Sequence, residues 1–358
     1  MSGNDDRARN VKDENEGDAL APLVERAQTL GASPFEIDAA RTLGGLGPLI
    51  IDLALRPPGP VVSIDQYAAG TANDERAGLA RRLWRAFGLP QDDVLLPVTP
   101  DVAAGLDLLL DLSELLGENA VVAFARVIGS TALRLAEALA SMARLGMEVP
   151  ELEAGRPYAE VANDYITLAV NLLPRLWDTT GAVFRRHLMR HAYGTWSTDE
   201  ERVAVTVERT VGFADLVGST DHMQSLSVAA LANEIDVFEQ DVWDRVTQAG
   251  GRVVKLIGDE AMFIFDHPPS AVDVAVALIS DKGASIRAGI AHGFVAARHG
   301  DYYGPTVNLA ARLVAAAPAG TILVSDSVAT ALSDDRVKRF ETEPLRGFPS
   351  GTPVWRVH

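Results

Sequence analysis

Residues 213–220 read Phe-Ala-Asp-Leu-Val-Gly-Ser-Thr, and this stretch decides the fold of the region around it. The apolar and β-branched run at 203–211 leads into it and predicts a strand, with Asp215 just past the strand end. The small residues that follow are Gly218, Ser219 and Thr220. Small residues after a strand let main-chain N–H groups approach a phosphate closely, and a carboxylate beside them suits a divalent cation. An isolated aspartate at such a place is more often a helix cap or a solvated turn residue.

The chain from Arg202 to His358 alternates between strand and helix patterns. The predicted strands cover 203–213, 253–257, 261–265, 286–291, 322–324 and 354–357, and the predicted helices cover 228–248, 270–279 and the segment from Thr306 to just before Pro318. The order β-α-β-β-α-β predicts a ferredoxin-like α/β sandwich with additions.

A second carboxylate, Asp259, stands at the tip of a predicted hairpin after Gly258. Two cations about 3.5–4 Å apart require at least two shared carboxylates, so Asp215 and Asp259 together fit a two-metal phosphate site. A turn aspartate without a ligand is the ordinary alternative. We expect the adjacent Glu260 to point away from such a site, into solvent.

Four further polar residues follow a pattern that suits a nucleotide. Lys255 interrupts an otherwise apolar strand, and Asp301 lies in a predicted turn before Tyr302 and Tyr303. Asn308 and Arg312 are four residues apart, which places them on one face of a helix. An amide and a guanidinium side by side suit ribose and polyphosphate oxygens, although a solvated helix pair has the same spacing.

Composition excludes several classes of function. The chain has 358 residues, 47% of them apolar, which is enough for two domains. The formal charge of −17 argues against a nucleic-acid partner, and the absence of cysteine excludes disulfides and thiolate sites. The first 18 residues lack the apolar core of a signal peptide, and no apolar run approaches the ~20 residues of a membrane span. We therefore expect a cytoplasmic protein without a membrane span.

The N-terminal half is predicted to be helical. We expect a disordered tail at 1–18, a helical regulatory or dimerisation domain at 19–191, a linker at 192–201 and the α/β domain at 202–358. Helix starts are indicated at Ser33, Ser63 and Thr99, and long helices at Asn119–Leu145 and Pro157–His191. The apolar stripes of these helices predict bundle packing, although they could also enclose a lipid-like ligand.

His187 and His191 lie four apart at the end of the last predicted helix. Because histidine titrates near neutrality, they form a candidate pH-sensitive pair next to the linker. Two solvated histidines beside the nearby arginines are the alternative interpretation.

Residues 202–358 resemble the catalytic domain of the class III adenylate cyclases. Three blocks carry the resemblance: Phe-Ala-Asp-Leu-Val-Gly-Ser-Thr at 213–220, Val-Lys-Leu-Ile-Gly-Asp-Glu at 254–260, and Gly-Asp-Tyr-Tyr-Gly-Pro-Thr-Val-Asn-Leu-Ala-Ala-Arg at 300–312. Ser219 stands where that family often has an aromatic residue, and Glu260 where it often has a small one. Neither departure removes a functional group.

The resemblance implies a residue-by-residue assignment. Asp215, Asp259 and the Leu216 carbonyl would hold two Mg²⁺ or Mn²⁺ ions, and Gly218, Ser219 and Thr220 would approach the phosphates. Lys255 and Asp301 would read adenine, Asn308 and Arg312 would stabilise the transition state, and Arg346 is a weaker candidate for the terminal phosphates. The substrate would be ATP, and the enzyme would be a head-to-tail homodimer with two sites, because the family divides these residues between two catalytic domains.

The helical half resembles, more loosely, the regulatory domains of some actinobacterial cyclases, including autoinhibited mycobacterial ones. This implies control of how the two catalytic domains meet, through the helix that ends near His191 and the linker. A non-catalytic nucleotide sensor and a diguanylate cyclase remain as alternatives. The complete set of six polar positions argues against the sensor. For the diguanylate cyclase, Gly258-Asp259-Glu260 is only a fragment of that family's Gly-Gly-Asp/Glu-Glu-Phe loop.

Overall fold

The computed structural model describes residues 20–91, 95–195, 206–217, 228–282 and 285–358. The chain divides into two compact units, Met1–Ser197 and Thr198–His358. The predicted tail at 1–18, the last part of the predicted linker and the phosphate-turn residues Gly218, Ser219 and Thr220 lie outside the described residues.

The first unit is helical, as predicted. Its elements are α1 (Ala21–Thr29), α2 (Pro34–Thr42), α3 (Leu46–Leu55), α4 (Ile64–Ala69), α5 (Asp74–Ala86), α6 (Pro100–Leu116), α7 (Glu118–Ala143), a π-helical turn (Arg144–Glu148), α8 (Val149–Glu153) and α9 (Tyr158–Thr195). Two apolar clusters hold it together. One joins α1, α2 and α3 to Ile166 of α9, and the other surrounds the buried Trp84 of α5.

Local sequence sets the helix starts in this unit. Ser33 accepts a hydrogen bond from the main-chain N–H of Glu36, whose carboxylate accepts one from the N–H of Ser33. Ser63 and Gln66 form the same reciprocal cap at α4. Each cap satisfies two N–H groups that the first turn of a helix leaves without partners.

Two predicted helix ends are wrong. The helix predicted to end at Leu145 continues to Glu153, because the π turn of 144–148 joins it to α8 and Pro150 lies in the first turn of α8. The helix predicted to end at 191 continues to Thr195, so its last four residues occupy part of the predicted linker.

One helical stretch of the described chain, residues 118–153, is long and apolar enough to cross a membrane. Its most apolar window has a mean hydropathy of 1.2, and 28% of that window is buried. A core helix passes the same test, and Arg126, Arg134 and Glu137 interrupt this one. The expected absence of a membrane span therefore stays a prediction.

The second unit has the predicted α/β fold. Its elements are β1 (Thr206–Leu216), α10 (Val228–Gln248), β2 (Arg252–Ile257), β3 (Glu260–Phe265), α11 (Pro268–Lys282), β4 (Ile286–Arg298), β5 (Asp301–Tyr303), α12 (Pro305–Ala316), β6 (Ile322–Ser325), α13 (Asp326–Thr330), β7 (Val337–Arg339) and β8 (Val354–Val357). The strand order is β2-β3-β1-β4-β6-β8-β7, with β5 paired to β4. The first four strands and two helices form the ferredoxin-like βαββαβ core, in which the four strands are antiparallel.

The sheet buries both of its faces. Phe238 and Val242 of α10 and Leu278 of α11 pack on one face with Ala214 and Phe263. On the other face, Leu313 and Val314 of α12 pack against Val211, Phe213 and Met262. Because side chains alternate along a strand, Asp215 shares the α12 face with Val211 and Phe213.

Three strand assignments needed the structure. Asp215 lies inside β1, which continues to Leu216, and not beyond the strand end. The predicted turn at Asp301 is a short strand, β5, because β4 continues to Arg298 and supplies a pairing edge for it. The short strand β7 was not predicted, since three residues carry too little of an alternating pattern.

Substituting Gly289 by alanine should destabilise the second unit by about 1–3 kcal/mol. A Cβ at this position in β4 would lie 2.1 Å from the main-chain nitrogen of Val314 and 2.6 Å from the carbonyl oxygen of Ala310, so α12 would have to move. Urea unfolding measures the loss. The control Gly105→Ala places a methyl group in open space within a helix and should not lower stability. Equal stability of Gly289→Ala and the wild type would contradict the close packing of α12.

Candidate active site

A row of three charged residues crosses the sheet at the end of β1. Asp215 lies opposite Glu260 of β3 on one side and opposite Arg287 of β4 on the other. Residues directly opposite each other project from the same face, so all three side chains lie on the α12 face. The prediction that Glu260 points away into solvent is therefore wrong: it faces Asp215 and is only partly exposed.

Arg287 holds Asp215 in place. Its Nε donates to Asp215 Oδ2 at 2.7 Å, and its Nη2 lies 2.5 Å from the same oxygen. Its Nη1 also donates to the carbonyl of Ala315 at 3.3 Å. One guanidinium thus joins the carboxylate at the end of β1 to the last turn of α12.

The tip of the β2–β3 hairpin places Asp259 beside the end of β1, next to Asp215. Gly258 has φ +64°, a conformation that glycine adopts without strain, and with Asp259 it forms the connection between β2 and β3. The main-chain N–H of Leu216 donates to the carbonyl of Asp259 at 3.1 Å. This bond fastens the hairpin tip to the end of β1, so the two predicted metal-binding aspartates are neighbours.

The carboxylates of this site repel one another. Burial raises the pKa of Asp215, the Arg287 guanidinium opposes that rise, and the Asp259 charge adds to it. Burial also raises the pKa of Glu260, and the charges of Asp215 and Asp259 raise it further. In both groups burial is the largest cause, because it disfavours the charged form, and the neighbouring carboxylates add to the rise.

A divalent cation fits this donor set. Hard cations such as Mg²⁺ take oxygen ligands and are usually held by one or two carboxylates together with substrate phosphates and water. Asp215 and Asp259 offer two carboxylates, and the Leu216 carbonyl is adjacent. Within the described ranges, no three acidic or histidine side chains converge on one point, so the remaining ligands of a cation would be oxygens of water or of a bound phosphate.

Lys255 and Asp301 form the second group that the structure assembles. Lys255 Nζ donates to Asp301 Oδ2 at 2.6 Å, joining β2 to β5, and both side chains are partly buried. Asp301 Oδ1 accepts from the main-chain N–H of Tyr302 at 2.8 Å. The two residues predicted to read adenine therefore contact each other within one chain, and their contact with a nucleotide stays a proposal.

Asn308 and Arg312 lie on α12 as predicted, and both are exposed. Arg346 is also exposed, in the loop that follows β7. His187 is exposed on α9, and the side chain of His191 lies outside the described residues. Asn308 and Arg312 therefore share one exposed face of α12. In the described part of the chain neither side chain forms a hydrogen bond or ion pair with Asp215.

Two residues of the site were missed or misplaced from the sequence, Arg287 and Glu260. The signal that identifies them is strand register: once β1 is paired with β3 and β4, the partners of Asp215 follow. That register depends on contacts between distant segments, which local patterns do not contain.

Removing the guanidinium by Arg287→Ala should lower stability by about 1–2 kcal/mol at neutral pH, because it leaves a partly buried carboxylate without its partner. This loss of stability should shrink as the pH falls. The pKa of Asp215 is raised, so its negative charge destabilises the folded state, and protonation removes that charge. Millimolar Mg²⁺ should also reduce the loss of stability, because a bound cation would offset the same charge. Thermal unfolding with and without Mg²⁺ at several pH values measures both effects. A loss independent of pH and of Mg²⁺ would contradict this arrangement.

Comparison with known proteins places these residues in a wider context. The family model of the adenylate and guanylate cyclase catalytic domain matches residues 203–348. An uncharacterized protein of Mycobacterium tuberculosis is 33% identical over 349 residues, covering 94% of this chain and 90% of that protein. An adenylate cyclase of Streptomyces coelicolor is 33% identical over 291 residues, covering 78% and 75%. A pH-sensitive adenylate cyclase of Mycobacterium tuberculosis is 28% identical over 368 residues, covering 92% and 86%.

Proposed function

Because this chain belongs to the class III adenylate and guanylate cyclase family, we propose that it converts ATP to 3′,5′-cyclic AMP and pyrophosphate. The observation that carries the choice of ATP is the ion pair of Lys255 with Asp301. Adenine offers an acceptor at N1 and a donor at its 6-amino group, which a lysine and an aspartate complement. Guanine has the reverse pattern at those positions and would leave this pair mismatched. The adenylate cyclase name of the Streptomyces coelicolor relative agrees with this choice.

Asp215 and Asp259, with the Leu216 carbonyl, are the proposed ligands of two divalent cations, Mg²⁺ or Mn²⁺. When bound, the cations would lower the pKa of the ribose 3′-hydroxyl and offset the charge of the triphosphate. Arg287 holds the Asp215 carboxylate at the end of β1, and this would fix where the triphosphate binds. In the reaction the 3′-oxygen bonds to the α-phosphorus, the bond to the pyrophosphate oxygen breaks, and the hydroxyl proton leaves to water.

Asn308 and Arg312 are the proposed transition-state residues. They occupy one exposed face of α12, where an amide can orient the ribose and a guanidinium can offset the charge that develops on the α-phosphate. Arg346, and the turn residues Gly218, Ser219 and Thr220, are the proposed contacts of the remaining phosphate oxygens.

The complete site is proposed to form between two copies of the chain, with the aspartates from one copy and the other four residues from its partner. One chain carries both sets, so a head-to-tail homodimer would have two equivalent sites. An exposed apolar stripe on α9 supports self-association: Trp177, Phe184 and Leu188 are each more than half exposed, and Gly181 lies between them. The 4-3-4 spacing of these four residues is that of a helix–helix seam.

The test is turnover by the purified full-length chain. With Mn²⁺ or Mg²⁺ and ATP we expect cyclic AMP and pyrophosphate in equal amounts, at a rate well above that with GTP, and no product with chelator. Binding of ATP without any cyclic product would favour the nucleotide-sensing alternative. Formation of cyclic di-GMP from GTP would favour the diguanylate cyclase alternative.

The helical unit is proposed to regulate the cyclase by changing how the catalytic domains meet, with pH as one input and a lipid-like ligand as another candidate. The pH-sensitive relative is similar over both units, and His187 lies near the end of the helix that leads toward the catalytic domain. Substituting both His187 and His191 by glutamine in the full chain should flatten the dependence of cyclase rate on pH between about pH 5.5 and 8. An unchanged pH profile would show that these histidines do not take part in the regulation.

We also propose that the protein is cytoplasmic, and cell fractionation tests this location.

A further inference from the structure

A β-bulge in β2 places two positively charged side chains, Arg252 and Lys255, on the same face of the sheet. Arg252 pairs with Ile264 and Val253 with Phe263, but Lys255 pairs with Met262, so Val254 is the extra residue. Residues three apart in a regular strand point to opposite faces, and an inserted residue restores them to one face. Ile264 and Met262 both belong to the cluster beneath α12, so Arg252 and Lys255 lie opposite residues of that face.

The side chains of Lys255 and Arg252 contact two consecutive residues of β5. Lys255 pairs with Asp301, and the guanidinium carbon of Arg252 lies 5.1 Å from the centre of the Tyr302 ring. That distance is within the range of a cation–π interaction. Among the described residues the Arg252 side chain forms no hydrogen bond or ion pair, so its contact with the Tyr302 ring is the cation–π contact alone.

Tyr302 connects Arg252 to Lys255 and Asp301, the pair that is proposed to read the base. The residue is 7% exposed, and its main-chain N–H donates to Asp301 Oδ1 while Lys255 donates to Oδ2. Asp301 is thus oriented from both oxygens, by Lys255 and by Tyr302. All three residues of β5 pair with β4, and the side chains of Lys255 and Arg252 add contacts from β2 to two of them.

We infer that Arg252 is a positioning residue for base selectivity, which holds Tyr302 so that Asp301 and Lys255 keep the geometry that accepts adenine. The inference rests on the proposed function, because it assigns a role to Arg252 through the pair that reads the base. Arg252 itself does not touch the substrate. Its loss changes the preference between adenine and guanine nucleotides more than it changes the rate.

The test compares Arg252→Ala with Arg252→Lys and with Arg356→Ala in the full-length chain. Arg356 is an exposed strand arginine of the same sheet, on β8, outside the site. For each variant we would measure kcat/KM for ATP and GTP, and the affinity for non-cyclisable ATP and GTP analogues. We expect Arg252→Ala to lower the ATP-to-GTP ratio about two- to fivefold in both measurements, the size of an exposed cation–π contact. Arg252→Lys, which keeps a cation over the ring, should recover most of the ratio, and Arg356→Ala should not change it.

Two outcomes would overturn the inference: an unchanged ATP-to-GTP ratio in folded Arg252→Ala, or the same change of that ratio in Arg356→Ala. An unchanged ratio that comes with an equal loss for both nucleotides, or a matching change in Arg356→Ala, indicates a general structural role. Failure of the proposed function is separate, because it appears in the wild type as an absence of cyclic AMP. The analogue affinities then still report whether Arg252 affects the choice of base.

Discussion

Asp215→Asn is expected to lower kcat for cyclic AMP formation by about 100- to 1000-fold, the scale of losing a cation that stabilises charge at the reacting phosphate. The asparagine keeps the size of the side chain at the end of β1, where Asp215 meets Arg287. The substitution removes the Asp215 charge, which is one of the charges that raise the pKa of Glu260. It therefore lowers the repulsion between these carboxylates and should not weaken the fold through repulsion. Initial rates over a range of Mn²⁺ concentrations measure the effect, and the apparent cation affinity should fall as well.

Asp244→Asn is the matched control, because Asp244 is an exposed aspartate of α10 in the same unit. Its rate and cation dependence should match those of the wild type. A folded Asp215→Asn protein with wild-type rates at all cation concentrations would exclude Asp215 from the metal site.

Arg312→Ala is expected to lower kcat by about 100- to 1000-fold with little change in KM, the usual cost of removing one donor aimed at developing charge. Arg312 is exposed on α12, so truncating it removes no packing from the sheet. Steady-state rates at saturating and limiting ATP separate the two parameters.

Arg312→Lys serves as the comparison, since it retains a positive charge without the planar fork and should recover only part of the rate. A rise in KM at constant kcat would mean that Arg312 binds ground-state ATP and does not act in the transition state. Arg346→Ala should have the smaller effect of the two arginine truncations, because Arg346 is proposed to contact only the terminal phosphates.

Local sequence predicted the parts of the fold that depend on nearest neighbours. The caps at Ser33 and Ser63, the hairpin around Gly258 and the βαββαβ order are all confirmed. They follow from side-chain to main-chain hydrogen bonds and from the period of apolar residues, which a single segment contains.

Register, in contrast, could not be predicted from single segments. Glu260 was expected in solvent because it follows Asp259 in a turn, but pairing of β1 with β3 places it opposite Asp215. Arg287 occupies the equivalent place on β4 and showed no local motif. The bulge at Val254 that brings Arg252 and Lys255 to one face is likewise visible only once β2 and β3 are paired.

The central claim is that each active site takes its aspartates from one copy of the chain and Arg312 from another. Mixing inactive Asp215→Asn protein with inactive Arg312→Ala protein tests it most directly. If subunits exchange freely, half of the dimers carry one copy of each variant and keep one intact site of two. About one quarter of the wild-type activity per chain should therefore return. Activity that stays at the level of the separate variants, under conditions where subunit exchange is demonstrated, would contradict the account.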